Sequence, residues 1–93
     1  MRPSNPLRSA PDVQQTLIEA VKTDTKVGLT FANIALQTRD VAKRRRNQRR
    51  ARVAYDTVMR YVERLNFSPE DKAEIQLRVA ELRSALEQLG DSL

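Results

Sequence analysis

Apolar side chains return every three or four residues through most of this chain, and two short polar interruptions divide that rhythm into three stretches. Such spacing lines apolar groups along one face of a helix. Three faces of that kind must be buried against one another. Two glycines in 93 residues are too few for the turns of an all-β fold. The expected fold is therefore all-α, an up-down-up three-helix bundle with long first and second helices. A chain this short closes one core and forms one domain. With Phe31, Tyr55, Tyr61 and Phe67 as its only aromatic residues, that core must be built from Leu, Ile, Val and Ala.

The punctuation sets the expected boundaries. Residues 1–9, with two prolines and almost no period, read as a mobile tail. The single domain spans 10–90, with helices over about 12–38, 40–65 and 69–89, and a short tail at 91–93. Ser9 or Asp12 can open the first helix, and Asp12 has Gln15 in capping-box spacing. Its stripe runs through Leu17/Ile18, Val21, Thr25, Gly28/Leu29, Ala32 and Ala35/Leu36. Val27, Phe31 and Ile34 widen the stripe, so this helix is expected to be the most buried. Gly28 costs about 1 kcal/mol relative to Ala in a helix interior, which close approach by another helix would offset. Asp24 is expected at the stripe's edge.

The break at Thr38–Arg39–Asp40 holds neither glycine nor proline, so one very long helix is the alternative there. Asp40 can cap a second helix, whose stripe is Ala51, Ala54/Tyr55, Val58, Tyr61/Val62 and Leu65. Extended backwards, it lands on Gln48, Asn47, Arg44 and Val41 and turns polar. Ser68–Pro69–Glu70–Asp71 is a strong helix start: a cap, a proline where no N–H is needed, and acids at the positive end of the dipole. Phe67 should fold onto that start. Ile75, Val79, Leu82, Leu86 and Leu89 form the third stripe, with Leu77 and Ala85 beside it, and Gly90 terminates it. The third helix is the shortest, so the first turns of the second should project beyond the three-helix core.

The formal net charge of +5 hides a segregation. Residues 39–52 hold eight basic residues and one acid, whereas the last 26 residues carry twice as many acids as bases. The chain has no Cys and no His, which excludes disulfides, histidine catalysis and Cys/His zinc sites. It has no glycine-rich phosphate loop and no acid triplet at calcium-loop spacing, so no metal, cofactor or enzymatic activity is expected. No apolar run is long enough for a membrane span, and the N-terminus lacks a signal peptide's apolar centre, so a cytoplasmic location is the expectation.

Lys43, Arg44, Arg45, Arg46, Arg49, Arg50 and Arg52 form the sharpest cluster. They surround the expected helix, an arrangement suited to acidic or anionic partners and to an RNA groove. The string KRRRNQRRAR resembles the arginine-rich RNA-binding helices of phage antitermination proteins. Two plainer outcomes stand beside this one: a solvated helix end, and an intramolecular meeting with Glu87 and Asp91.

Ala51, Ala54, Tyr55 and Tyr61, followed by Ile75, Glu81, Leu82, Ala85, Leu86 and Leu89, resemble the second and third helices of the microtubule-interacting-and-transport domain. Gly28 with Phe31 is similar to the first helix of a tetratricopeptide unit. The first resemblance implies a non-enzymatic three-helix bundle that binds peptides in grooves between its helices. It implies a groove flanked by Tyr55, Val58 and Val62 on one side and Val79, Leu82 and Leu86 on the other. The expected function is a protein-interaction module with a peptide groove and a basic tip. RNA or DNA binding through the Arg-rich start of helix two is the alternative, and a homodimer stays open.

Overall fold

A computed structural model describes the backbone of residues 5–93 and the side chains of residues 13–93. Among these residues the chain forms α1 (Asn5–Gln37), α2 (Val41–Val62) and α3 (Pro69–Gln88), and no strand. At 1.5 Å per residue the helices are about 50, 33 and 30 Å long, in a molecule measuring 58 × 25 × 17 Å.

Paired residues fix the topology. Gly28 lies against Ala54 and Leu82, Lys22 against Asp71, and Gln48 against Asp91. These contacts set α2 antiparallel to α1 and α3 parallel to it, the expected up-down-up bundle.

The α1–α2 break is real, and the single long helix is excluded. Asp40 caps α2 by accepting from the Lys43 N–H at 3.1 Å, while its own N–H donates to Thr38 Oγ1. At the second turn, the N–H groups of Arg64 and Leu65 both donate to the Tyr61 carbonyl. That tightening ends α2 at Val62 rather than Leu65, and Leu65 packs with Phe67 on the Val21–Val58–Ile75 cluster. Ser68 caps α3 by accepting from the Asp71 N–H at 3.1 Å, with Pro69 in the first turn. Gly90, at φ 102°, ends it. The Gly90 N–H donates to the Glu87 carbonyl and the Asp91 N–H to that of Leu86, the paired bonds of a Schellman cap.

Two further boundaries differ from expectation. α1 begins at Asn5, so residues 5–9 are helical, while residues 1–4 of the expected tail lie outside the described residues. Pro6 is compatible with this because it falls in the first turn, where its missing N–H has no helical partner. Residues 91–93 do not form a loose tail. Asp91 accepts from Gln48 at 2.6 Å, the Ser92 carbonyl accepts from Arg52, and Leu93 packs on the core.

The core has two layers. Ala32, Ala51, Tyr55, Leu82, Ala85 and Leu86 form one, and Val21, Val58 and Ile75 the other. Leu77 faces solvent at 67% exposure, because two residues on from the buried Ile75 it lies on the opposite face of α3. The buried stripe does turn polar at Asn47, whose side-chain amide donates to the Lys43 carbonyl at 2.8 Å. α3 ends beside Gln48 and Arg52, so the first turns of α2 project as expected, flanked only by the end of α1.

At Gly28 α1 approaches both α2 and α3 closely. A Cβ there would sit 2.9 Å from Leu82 Cδ2 and 3.0 Å from Ala54 Cβ. Leu82 can rotate, but the Ala54 methyl is fixed to its backbone. Overpacking of about 1–3 kcal/mol thus opposes a helix-propensity gain of about 1 kcal/mol. Gly28→Ala should lower the urea midpoint, and Gly28→Val should lower it further.

Lys22 ties α1 to the start of α3, with its ammonium 2.6 Å from Asp71. The hydrogen bond from Lys22 is the largest cause holding the Asp71 carboxyl below its ordinary value of 3.8, against the opposing effect of burial. The same bond raises Lys22 above 10.5. The Asp71 contribution is present above the unfolded carboxylate value and is lost as pH falls through the lower folded one. The Lys22 contribution is present up to its ordinary value and is lost only at higher pH. Asp71→Asn should therefore lower the melting temperature at neutral pH, and its deficit relative to wild type should shrink on acidification well below 3.8.

Candidate functional site

The basic block starts α2, where the three-residue turn and the Asp40 cap aim it past the end of α3. The helix divides it among different surroundings. Lys43, Arg44, Arg45, Arg46 and Arg49 are exposed, and Arg44 donates to the Thr38 carbonyl at 3.1 Å. Arg50 lies over the Phe31 ring at 5.6 Å, a cation–π contact between α2 and α1. Arg52 faces the other way and pairs with Asp56 at 3.1 Å and Asp91 at 3.6 Å. The hydrogen bond with Asp56 is the main cause of its raised pKa. The intramolecular meeting therefore forms between Arg52 and Asp91, whereas Glu87 pairs with Arg83 within α3.

The six residues expected to flank a peptide groove are brought together, but as packing. Tyr55 is 7% exposed, and Val58, Leu82 and Leu86 are fully covered. Val79 packs on both core layers, and Val62 packs on the second, where it also lines a 170 Å³ hollow at the α2–α3 turn. Their own side chains fill the space that an α2–α3 groove would occupy.

The open groove lies on the opposite side, between α1 and α2. One hollow of about 570 Å³ is bounded by Asp24, Val27 and Phe31 from α1 and by Arg46, Arg49, Arg50, Val53, Ala54 and Thr57 from α2. A second, of about 200 Å³, continues it through Leu17, Ala20, Val21, Thr57 and Tyr61, again with Asp24 in its wall. No α3 residue lines either hollow. Val27 is 41% exposed, Val53 61% and Tyr61 37%.

A second seam on α1 produces this trough. Ile18, Val21, Thr25, Gly28, Ala32 and Ala35 alternate steps of three and four and face the core. One residue earlier, Val13, Leu17, Ala20, Asp24, Val27, Phe31 and Ile34 keep the same alternation. The buried side of α2 covers the first seam, so α1 carries more buried residues than either other helix, as expected, but it leaves the second seam half open: Val27 is exposed, and Phe31 and Ile34 are only partly covered. Val53 and Tyr61 complete the far wall. Sequence reading missed Val53, which lies outside the α2 stripe. The parallel seam on α1 is the signal that could have revealed the trough.

Glu19, Asp56, Asp71, Glu74, Glu87 and Asp91 are all engaged in ion pairs. Among the described residues no three acids cluster to hold a metal, and no helix is long and apolar enough to cross a membrane.

No family model matches the chain, and comparison with curated proteins and with solved structures finds no match. Burial separates packing from surface in a measurable way. Leu82→Ala should cost about 2–5 kcal/mol in chemical unfolding, whereas Val53→Ala should change stability by less than about 0.5 kcal/mol.

Proposed function

We propose that this chain is a non-enzymatic protein-interaction module that takes a helix of its partner into the α1–α2 trough, with the basic end of α2 beside it. The half-open second seam of α1 carries this reading. Apolar residues at alternating steps of three and four along a helix are the pattern that receives another helix, and α2 alone leaves Val27, Leu17 and Ala20 incompletely covered. A helix laid over Val27, Phe31, Val53 and Tyr61 would give the bundle a fourth member and remove that surface from water. The lack of Cys and His supports a role in binding rather than catalysis.

The exposed Lys43, Arg44 and Arg45 favour a second reading, in which the projecting tip binds RNA or DNA through phosphate neutralisation. The two readings separate in a pull-down from lysate with wild type, Val53→Lys, and a variant with Arg44 and Arg45 changed to Gln. The trough reading expects protein capture that Val53→Lys abolishes with an unchanged thermal melt. Capture dominated by nuclease-sensitive material, indifferent to Val53→Lys and lost with the two arginines, would favour the second reading.

A further inference from the structure

We infer that the helix received by the trough is acidic at one end and carries a single cation near its middle. The inference rests on the trough reading above and specifies the partner's chemistry. The trough from Leu17 to Phe31 spans fourteen steps of α1, about 21 Å, or roughly four turns of a docked helix. Its polar groups are unevenly placed. Arg46, Arg49 and Arg50 wall one end, whereas Leu17, Ala20 and Tyr61 wall the other. Asp24 stands at the centre, half-buried and shared by both hollows. Among the described residues it makes no ion pair.

A purely apolar helix would strip water from these groups without replacing their partners, at a desolvation cost that cancels much of the gain. A helix that fits supplies carboxylates beside Arg46 and Arg50 and an ammonium or guanidinium opposite Asp24. Arg50 is already held over the Phe31 ring, so less side-chain freedom is lost when its N–H groups meet a carboxylate. Asp24, within an otherwise apolar seam, then fixes the partner's register in the way a lone polar residue does in a coiled-coil seam.

The same charges argue against a second copy of this chain as occupant. A two-fold axis through the middle of the trough would bring Asp24 against its own symmetry mate. It would also set Arg46 and Arg50 opposite Leu17 and Tyr61, which offer no acid. A nucleic acid fits no better, because Val27, Phe31 and Val53 give its phosphates nothing to bind and Asp24 repels them.

The test is calorimetric titration of the 93-residue chain with helix-stabilised peptides of about 16 residues. All share one apolar face. The first carries glutamates at one end and a central lysine, the second carries the reversed charges, and the third has glutamine at every one of those positions. The first peptide should bind at least about tenfold more tightly than either of the others, a difference of about 1.4 kcal/mol. Changing Arg46 and Arg50 to Glu together with Asp24→Lys should transfer the preference to the second peptide, while Val53→Lys should abolish binding of all three. Equal binding of all three peptides, still lost with Val53→Lys, would overturn the charge pattern and leave the trough reading standing. No binding at all, or binding indifferent to Val53→Lys, would overturn both. A wild-type dimer in sedimentation that Val53→Lys dissolves would overturn the inference in favour of a second copy. Thermal melts of each variant confirm that the fold persists.

Discussion

The bundle depends on one missing side chain. At Gly28 the backbone of α1 lies within contact distance of the Ala54 methyl and of Leu82, so both neighbouring helices converge on one residue. From that crossing α3 runs alongside α1, with Ile75 before the Leu82 contact and Leu86 after it, and with Lys22 clamping its first turn. α3 packs more extensively on α1 than on α2. α1 is thus the spine of the molecule.

This spine accounts for the open side as well. The α1 seam through Gly28 is rich in small residues, with Ala32 and Ala35 continuing it. Small residues let α2 and α3 settle deeply into that one seam. A helix seated so closely covers a narrow strip, and the larger Val27 and Phe31 on the adjoining seam stand above it. The trough therefore follows from the same close packing that stabilises the core. Were α2 held further out by bulkier residues, it would lean over both seams more evenly and the hollow would shallow.

The fold was largely legible because its stops are chemical. Ser68 with Pro69, Asp40 and Gly90 act through local hydrogen bonding and backbone geometry, which need no distant partner to be inferred. The start of α1 was less legible, because Pro6 reads equally well as part of a tail or of a helical first turn. The trough escaped for a different reason. Two seams offset by one residue overlap on a helical wheel and read as a single broad stripe, so periodicity alone told how wide the apolar face is and not how much of it is covered. The expected α2–α3 groove failed on the same point: Tyr55, Val58, Leu82 and Leu86 have the spacing of a groove and of a core alike, and only the relative placement of the helices distinguishes them.

Charge behaves the same way at the start of α2. As a string, residues 43–52 are an undifferentiated basic run. On the helix, the run is sorted by the neighbours each residue meets. Arg52 turns toward Asp56 and Asp91 and fastens the chain's last residues to the bundle, an internal use of charge. Arg50 turns toward Phe31 and stiffens the wall of the trough. Arg46 and Arg49 share that wall, while Lys43, Arg44 and Arg45 stand on the projecting tip. A long-range field attracts an anion wherever it approaches, but only a wall with apolar groups beside its cations can hold an amphipathic one. Since Val27, Phe31 and Val53 adjoin Arg46 and Arg50 and not the tip, the proposed binding would place discrimination between acidic partners in the trough and leave the tip to raise the rate of encounter.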